Sequence, residues 1–272
     1  YAKAEVWALG RIQLLEKFPA HFGTLDWPGH PYAQLVQLYA EQGDRHKMFS
    51  WRDRWLQDRS FVLGSLAHDE HTDTYTMIGS GRKIGDTWDE YHFAYKVLEG
   101  DGSIITKVNV HENVNMSGGA GVMIRNSLAA DAPHVSLQMG PWGWLLFRHR
   151  KTERQDSEIV FFGPAQEKLT AHWIKLERRG DTITAHHSSD GMHWRLITPD
   201  APTQSLLTGI QMNQKVYIGL TVTSDEGPHV ATQADFSEVN TTGRLDSNGP
   251  FTVSQDIGFS LEANSPVEGT SN

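Results

Sequence analysis

The chain has 272 residues, with 24 Lys and Arg against 33 Asp and Glu, a formal net charge of −9, and no cysteine. That balance disfavours a binder of nucleic-acid backbones, which needs a basic face, and the missing cysteines exclude thiol catalysis, thiolate metal sites and disulfides. A hydrophobic content of 38% supports a sizeable core in one large domain or two smaller ones, and no run approaches the roughly 18 apolar residues of a membrane span.

The chain begins at Tyr1 rather than Met, so the lack of a leader decides nothing. Residues 1–60 read as a helical accessory region: Val6, Leu9, Ile12 and Leu15 recur at helical spacing, and Ala2, Ala4 and Ala8 favour helix. Pro19 and Gly23 end that segment, Asp26 to Pro31 is a turn, and Leu35, Leu38 and Tyr39 stripe a second helix that Gly43-Asp44 breaks. The run from Leu35 to Asp44 resembles a turn region of a tetratricopeptide-like repeat, so residues 1–60 fit either the end of a helical array or a helical pair packed on the next domain.

Residues 61–240 change character. Short segments with strand periodicity are separated by Gly, Asp, Asn and Pro, and no helical stretch lies between them. Strands are expected at 91–97, 105–110, 120–125, 134–139, 143–149, 158–162, 172–178, 182–187, 193–197, 215–223 and 230–239, with a hairpin turn at Gly100-Asp101-Gly102-Ser103. This pattern predicts a mainly β fold, a sandwich or barrel rather than an α/β architecture. Phe93, Tyr95, Val122, Ile124, Leu176, Ile218 and Leu220 are the expected core, with Met123 and Arg125 turned to the other face of their strand. Residues 241–272 are polar and rich in Gly, Ser, Asn and Thr, and read as a linker.

The strand region carries a family resemblance. Asp86-Thr87-Trp88-Asp89-Glu90-Tyr91-His92-Phe93-Ala94-Tyr95, Gly100 to Val108, Gly119-Ala120-Gly121-Val122-Met123-Ile124-Arg125-Asn126-Ser127-Leu128, Trp173 to Ala185, Ser188 to Trp194, Tyr217 to Ser224 and Ala234-Asp235-Phe236 follow one another in order. Together they resemble the concanavalin A-like β-sandwich family of unknown function typified by the enolase-regulation protein, which also occurs as tandem modules in large secreted bacterial proteins. The resemblance implies a two-sheet antiparallel sandwich, or jelly roll, and an extracellular, cell-surface or periplasmic location. It also implies neighbouring modules of the same polypeptide as partners. Its superfamily includes lectins, glycan-binding modules and glycosidases, so it does not choose a function. Ser254-Gln255-Asp256-Ile257-Gly258 resembles the opening of another copy, and fits either the start of a next module or an edge strand packing back.

Two constellations point to chemistry. In Pro141-Trp142-Gly143-Trp144, the two indoles share a face and offer a flat surface for a sugar ring, with Arg125, His149 and Asp89 as polar partners. Packing beneath a loop would use the same Trp residues, and a structural salt bridge would use the same Arg125. The crowded acids Asp86, Asp89 and Glu90 form a candidate Ca²⁺ loop without EF-hand spacing; a solvated acidic turn is the alternative, and no other cofactor is expected. No His-Glu-x-x-His run, nucleophile elbow or alternating acidic strand marks a hydrolase. The expectation is therefore a non-catalytic, carbohydrate-binding module of a larger protein. A structural spacer or protein-assembly module is the first alternative and a glycoside hydrolase the second.

Overall fold

The computed structural model describes residues 62–111, 118–141, 143–164, 171–197, 207, 208, 210 and 212–258, with Lys47 in addition. From Val62 onward these belong to one compact unit, Val62–Ser260. The helical region expected over residues 1–60 lies outside the described residues, apart from Lys47.

The strands in chain order are β1 (Ser65–Asp69), β2 (Thr74–Gly81), β3 (Tyr91–Val110), β4 (Gly119–Arg125), β5 (His134–Met139), β6 (Trp144–Arg150), β7 (Glu158–Pro164), β8 (Ala171–Arg179), β9 (Thr182–Ser188), β10 (Arg195–Leu196), β11 (Leu207–Thr208), β12 (Lys215–Thr223), β13 (Gly227–Leu245) and β14 (Ser254–Ile257). They pair antiparallel into two sheets. Sheet A runs β14-β3-β12-β4-β5-β6-β7, using the first half of β3. Sheet B runs β1-β2-β13-β3-β8-β9, using the second half of β3, with β10 and β11 on the far side of β9.

The hairpin expected at Gly100–Ser103 is instead a bend inside one strand. β3 is continuous from Tyr91 to Val110, and Gly100 takes φ +79°, a left-handed conformation that costs glycine little. Before the bend Leu98 and Glu99 pair with Val216 and Lys215 of β12; beyond it Gly102 to Asn109 pair with β8. β13 follows the other edge of β3 around the corner, with Leu245 opposite Leu98 and Thr242 opposite Ser103. One strand therefore crosses from sheet to sheet and joins them in a single hydrogen-bonded ladder.

Two-residue alternation sorts the side chains. Between the sheets lie Ala94, Leu98, Val122, Ile124, Val135, Leu137, Ile218 and Leu220 from sheet A, against Ile104, Val108, Ile174, Leu176, Ile183 and Phe236 from sheet B. The expected core positions Val122, Ile124, Leu176, Ile218 and Leu220 are all fully buried there. Phe93 and Tyr95 stand on the other face. The register sets Lys96 opposite Ile218, so Ala94 and Leu98 point inward with it and the two aromatics point outward. They do not meet solvent there: Phe93 is fully buried in a second apolar cluster with Ile84, Tyr91, Met123, Ala130 and Ile257, and Tyr95 packs at its edge.

The last described segment packs back. Ser254–Ile257, inside the stretch read as a linker, pairs with Tyr91–Ala94 as β14. Asp256 then ties the beginning of the unit to its end: its Oδ1 and Oδ2 accept from the Gly64 amide at 3.1 and 3.2 Å, and Oδ1 lies 2.8 Å from His92 Nδ1.

This sidedness predicts a contrast. Leu220→Ala, between the sheets, should cost about 2–5 kcal/mol in urea unfolding of the chain. Ile159→Ala, whose side chain is 61% exposed on edge strand β7, should stay within about 0.5 kcal/mol of the parent. Equal costs would contradict the register.

Candidate functional site

One end of sheet A is built around the carboxylate of Asp89, which is fully buried in the segment joining β2 to β3. Arg150, at the end of β6, grips it from two sides: Nη2 donates to Oδ1 at 2.7 Å and Nη1 to Oδ2 at 3.0 Å. The same guanidinium donates to the carbonyls of Ala130, Ala132, Gly85 and Asp86, and its Nε to that of Gln155. A second fully buried arginine, Arg125 at the end of β4, lies 3.5 Å from Asp89 Oδ2 and donates to Tyr91 Oη and to the Ser127 and Ala129 carbonyls. Burial alone would raise the Asp89 carboxyl, but its charged neighbours outweigh that penalty and hold it below the usual carboxylate range. His134 touches the same carboxylate at 3.4 Å. Burial, with the push of the surrounding guanidiniums, takes its imidazole down to about 3, so it stays neutral at pH 7.

The three acids suspected of holding Ca²⁺ do not converge. Asp89 is committed to the arginines. Asp86 pairs with Lys83 Nζ at 2.8 Å. Glu90 accepts the Arg82 amide at 3.1 Å, and burial pushes its carboxyl up to about 7. No cluster of three metal-ligating side chains occurs among the described residues. This donor set does not fit a calcium ion, which wants six to eight converging oxygens.

The outer face of sheet A, away from sheet B, carries the second feature. Thr221, Gly121, Gln138 and Leu146 stand opposite one another across β12, β4, β5 and β6. Gly219, Met123, Ser136 and Arg148 form the next row. Ser136 Oγ, Gln138 Nε2, Arg148 Nε and Thr221 Oγ1 are buried without a hydrogen-bond partner. Arg148 is only 8% exposed and passes beneath Gly85, where an added Cβ would stand 2.7 Å from Nη1.

Trp144 borders this polar patch, half-buried, with its ring centroid 5.8 Å from that of Phe162 at a tilt of 49°. Glycines make the placement possible. A Cβ at Gly140 would run into the indole, and one at Gly119 would lie 3.2 Å from Trp144 Cη2 and 3.3 Å from Gln138 Nε2. Phe162, 59% exposed, and Ile159 complete an apolar rim on edge strand β7.

The expected ligand residues therefore separate. Trp144 is on the outer face. Trp142 lies outside the described residues. Arg125 and Asp89 are locked together in the interior. His149 points between the sheets, on the opposite side of β6 from Trp144, with Nε2 3.7 Å from Glu158 Oε2. Ser136, Gln138, Thr221 and Phe162 were not singled out from sequence. Their signal is the apolar–polar alternation of His134-Val135-Ser136-Leu137-Gln138-Met139, which marks one face of β5 as polar.

No family model matches the chain, and no curated protein matches it in sequence. Solved structures similar to it include a functionally unknown protein from Saccharomyces cerevisiae, 15% identical with a TM-score of 0.49, covering 66% of this chain and 92% of that one. A family 66 carbohydrate-binding module from Bacillus subtilis is 12% identical with a TM-score of 0.41, covering 67% and 95%. The xylan β-1,4-xylosidase from Bacillus halodurans C-125 is 17% identical with a TM-score of 0.36; the match covers 50% of this chain and 27% of the xylosidase, about a quarter of its length.

Two outcomes are expected at the buried cluster. Arg150→Met should cost about 3–5 kcal/mol, because it strips the main partner from a buried carboxylate. His134 titrates near 6.5 when unfolded and near 3 when folded, so between those values the unfolded chain binds more protons and acid destabilises the fold. Glu90, raised from 4.5 to about 7, has the opposite sign, losing its contribution as pH rises through 7. His134→Gln removes only the first effect. Urea titrations stepped from pH 6.5 to 4 should show the parent losing more stability than the variant, by at most about 1.4 kcal/mol per pH unit.

Proposed function

We propose that the Val62–Ser260 unit is a glycan-binding module that uses the outer face of sheet A, with Trp144 and Phe162 as the stacking wall and Ser136, Gln138, Thr221 and Arg148 as hydrogen-bonding groups. The observation that carries this reading is the set of unpartnered polar atoms beside an aromatic pair. Leaving a buried donor or acceptor unsatisfied costs about 1–3 kcal/mol. Four such atoms together approach the whole stability of a typical domain, about 5–15 kcal/mol. Ordered water or a ligand can meet such groups, and ligand hydroxyls beside an apolar ring face suit a sugar.

The nearby carboxylates support binding over turnover. Glycoside hydrolysis uses two carboxyl groups facing across a cleft, whereas Asp89, Asp86 and Glu90 are engaged by Arg150, Lys83 and the Arg82 amide. Membership of the enolase-regulation type, and a place outside the cytoplasm within a longer modular chain, rest on the ordered motifs from Asp86 to Phe236. No helix among the described residues is long and apolar enough to cross a membrane.

The test is a glycan array followed by titration of the best hit. Trp144→Ala should weaken it by about 1–3 kcal/mol, the scale of losing an aromatic anchor. A complete panel without binding would sink the reading. One observation favours the alternative of a protein-assembly module: Ile159 and Phe162 are exposed on an edge strand, where a protein partner could cover them. In that case Phe162→Ser would abolish association with the partner while glycans bind to neither form.

A further inference from the structure

Resting on the glycan reading above, we infer that the ligand is an acidic glycan and that Arg148 receives its carboxylate. Charge is the first argument. In a chain of net charge −9, the outer face of sheet A gathers Arg125, Arg148 and Arg150, each more than nine-tenths buried. Asp89 serves Arg125 and Arg150. Arg148 has no carboxylate within ion-pair distance among the described residues. A buried guanidinium with no carboxylate in contact keeps an uncompensated share of its desolvation cost. A carboxylate arriving with the ligand meets it with charge-assisted hydrogen bonds, bidentate where the fork is open.

Hydrogen-bond polarity is the second argument. Arg148 Nε and Gln138 Nε2 can only donate, and Ser136 Oγ and Thr221 Oγ1 carry donor hydrogens. Ser136 stands directly opposite Arg148, and Gln138 lies in the next row on the same strand as Ser136. A patch this rich in donors suits an acceptor-rich ligand, and a uronate carboxylate supplies two charged acceptor oxygens. The acids facing Arg148 are Asp86, Asp89 and Asp225. Lys83 holds Asp86 and the two other arginines hold Asp89, which leaves Asp225, exposed on the turn after β12, as the competing charge.

The experiment compares each acidic oligosaccharide with its own methyl ester, which keeps the ring and hydroxyl pattern and removes the charge. Oligogalacturonate, hyaluronan oligomers and glucuronoxylan fragments form the panel, with neutral xylan and glucan oligomers beside them. At least one free acid should bind tenfold or more tightly than its ester, and the gap should shrink as salt rises. Asp225→Asn should tighten the acid and leave the ester unchanged. Arg148→Gln should erase the gap, with Arg148→Lys restoring part of it. The acid–ester comparison on the parent protein decides the matter even if the Arg148 variants fail to fold. Neutral oligomers or esters binding as well as the acids would overturn this inference and leave the glycan reading standing. Binding of no probe at all would overturn both.

Discussion

The buried carboxylate of Asp89 sets the geometry of the sheet face on which the site is built. It is the common partner of two arginines from the ends of β4 and β6. Those arginines spend their remaining donors on the carbonyls of Gly85, Asp86, Ser127, Ala129, Ala130, Ala132 and Gln155. Three connecting segments are thereby fixed to one end of sheet A. The first, between β2 and β3, then lays Ile84 on Phe93 and Met123 and Gly85 above Arg148. Buried ion pairs are poor sources of net stability, because desolvation offsets attraction. Their value here is positional. An apolar replacement of similar volume could fill the space, but it could not offer so many directed bonds to loop backbone.

The continuity of β3 is the second constraint. A sandwich of two separate sheets relies on side-chain packing alone to hold its layers in register. Here β3 and β13 round the corner together at Gly100 and Gly243, both at positive φ, and their pairing resumes on either side of it across a register shift between Gly243 and Arg244. Sheet A is thus tied to sheet B through two shared strands, so the register of one layer constrains that of the other. That rigidity matters for a face made from alternate residues of neighbouring strands, since a one-residue slip would exchange Thr221, Gln138 and Ser136 for core residues.

Much of this was legible in the sequence, and the failures have physical causes. Strand positions such as His134–Met139 and Lys215–Thr223 follow from alternation and turn residues, because a two-layer β fold imposes that period. The hairpin at Gly100–Ser103 was misplaced because Gly-Asp-Gly satisfies a tight turn and a strand bend equally well; the choice is made by Thr242 and Gly243, far along the chain, which keep pairing with that stretch. Phe93 and Tyr95 read as core because aromatic strand residues usually face an interior. They do face one, but it is the pocket closed by Ile84 and Ile257 on the other side of the sheet. A buried Arg125 calls for a carboxylate or carbonyl partner, and the nearby motifs offer Asp89, Glu90 and Glu112; the structure pairs it with Asp89. Arg150, which makes the closer contact, had no such signal. His149 beside Trp144 looked like one cluster in sequence and is divided by the pleat.

The patch itself shows why sequence could mark its residues as polar without marking them as a site. Alternation tells which side chains of β5 and β12 share a face, but not whether that face meets water or is covered. A partly solvated sheet face commonly carries long charged side chains, as β8 does with Lys175 and Glu177 half-buried and Arg179 exposed, paired with one another. The face of β5 instead carries Ser136 and Gln138, short or neutral groups that are fully buried beside a Trp and lack partners. The difference between those two faces is energetic. On β8 the charges satisfy one another at a partly solvated surface, where pairing adds little. On β5 each group without a protein partner carries a desolvation penalty unless water or a ligand meets it. On the proposed glycan reading, the donors on this face would be met by acceptor oxygens, with a flat apolar surface against Trp144.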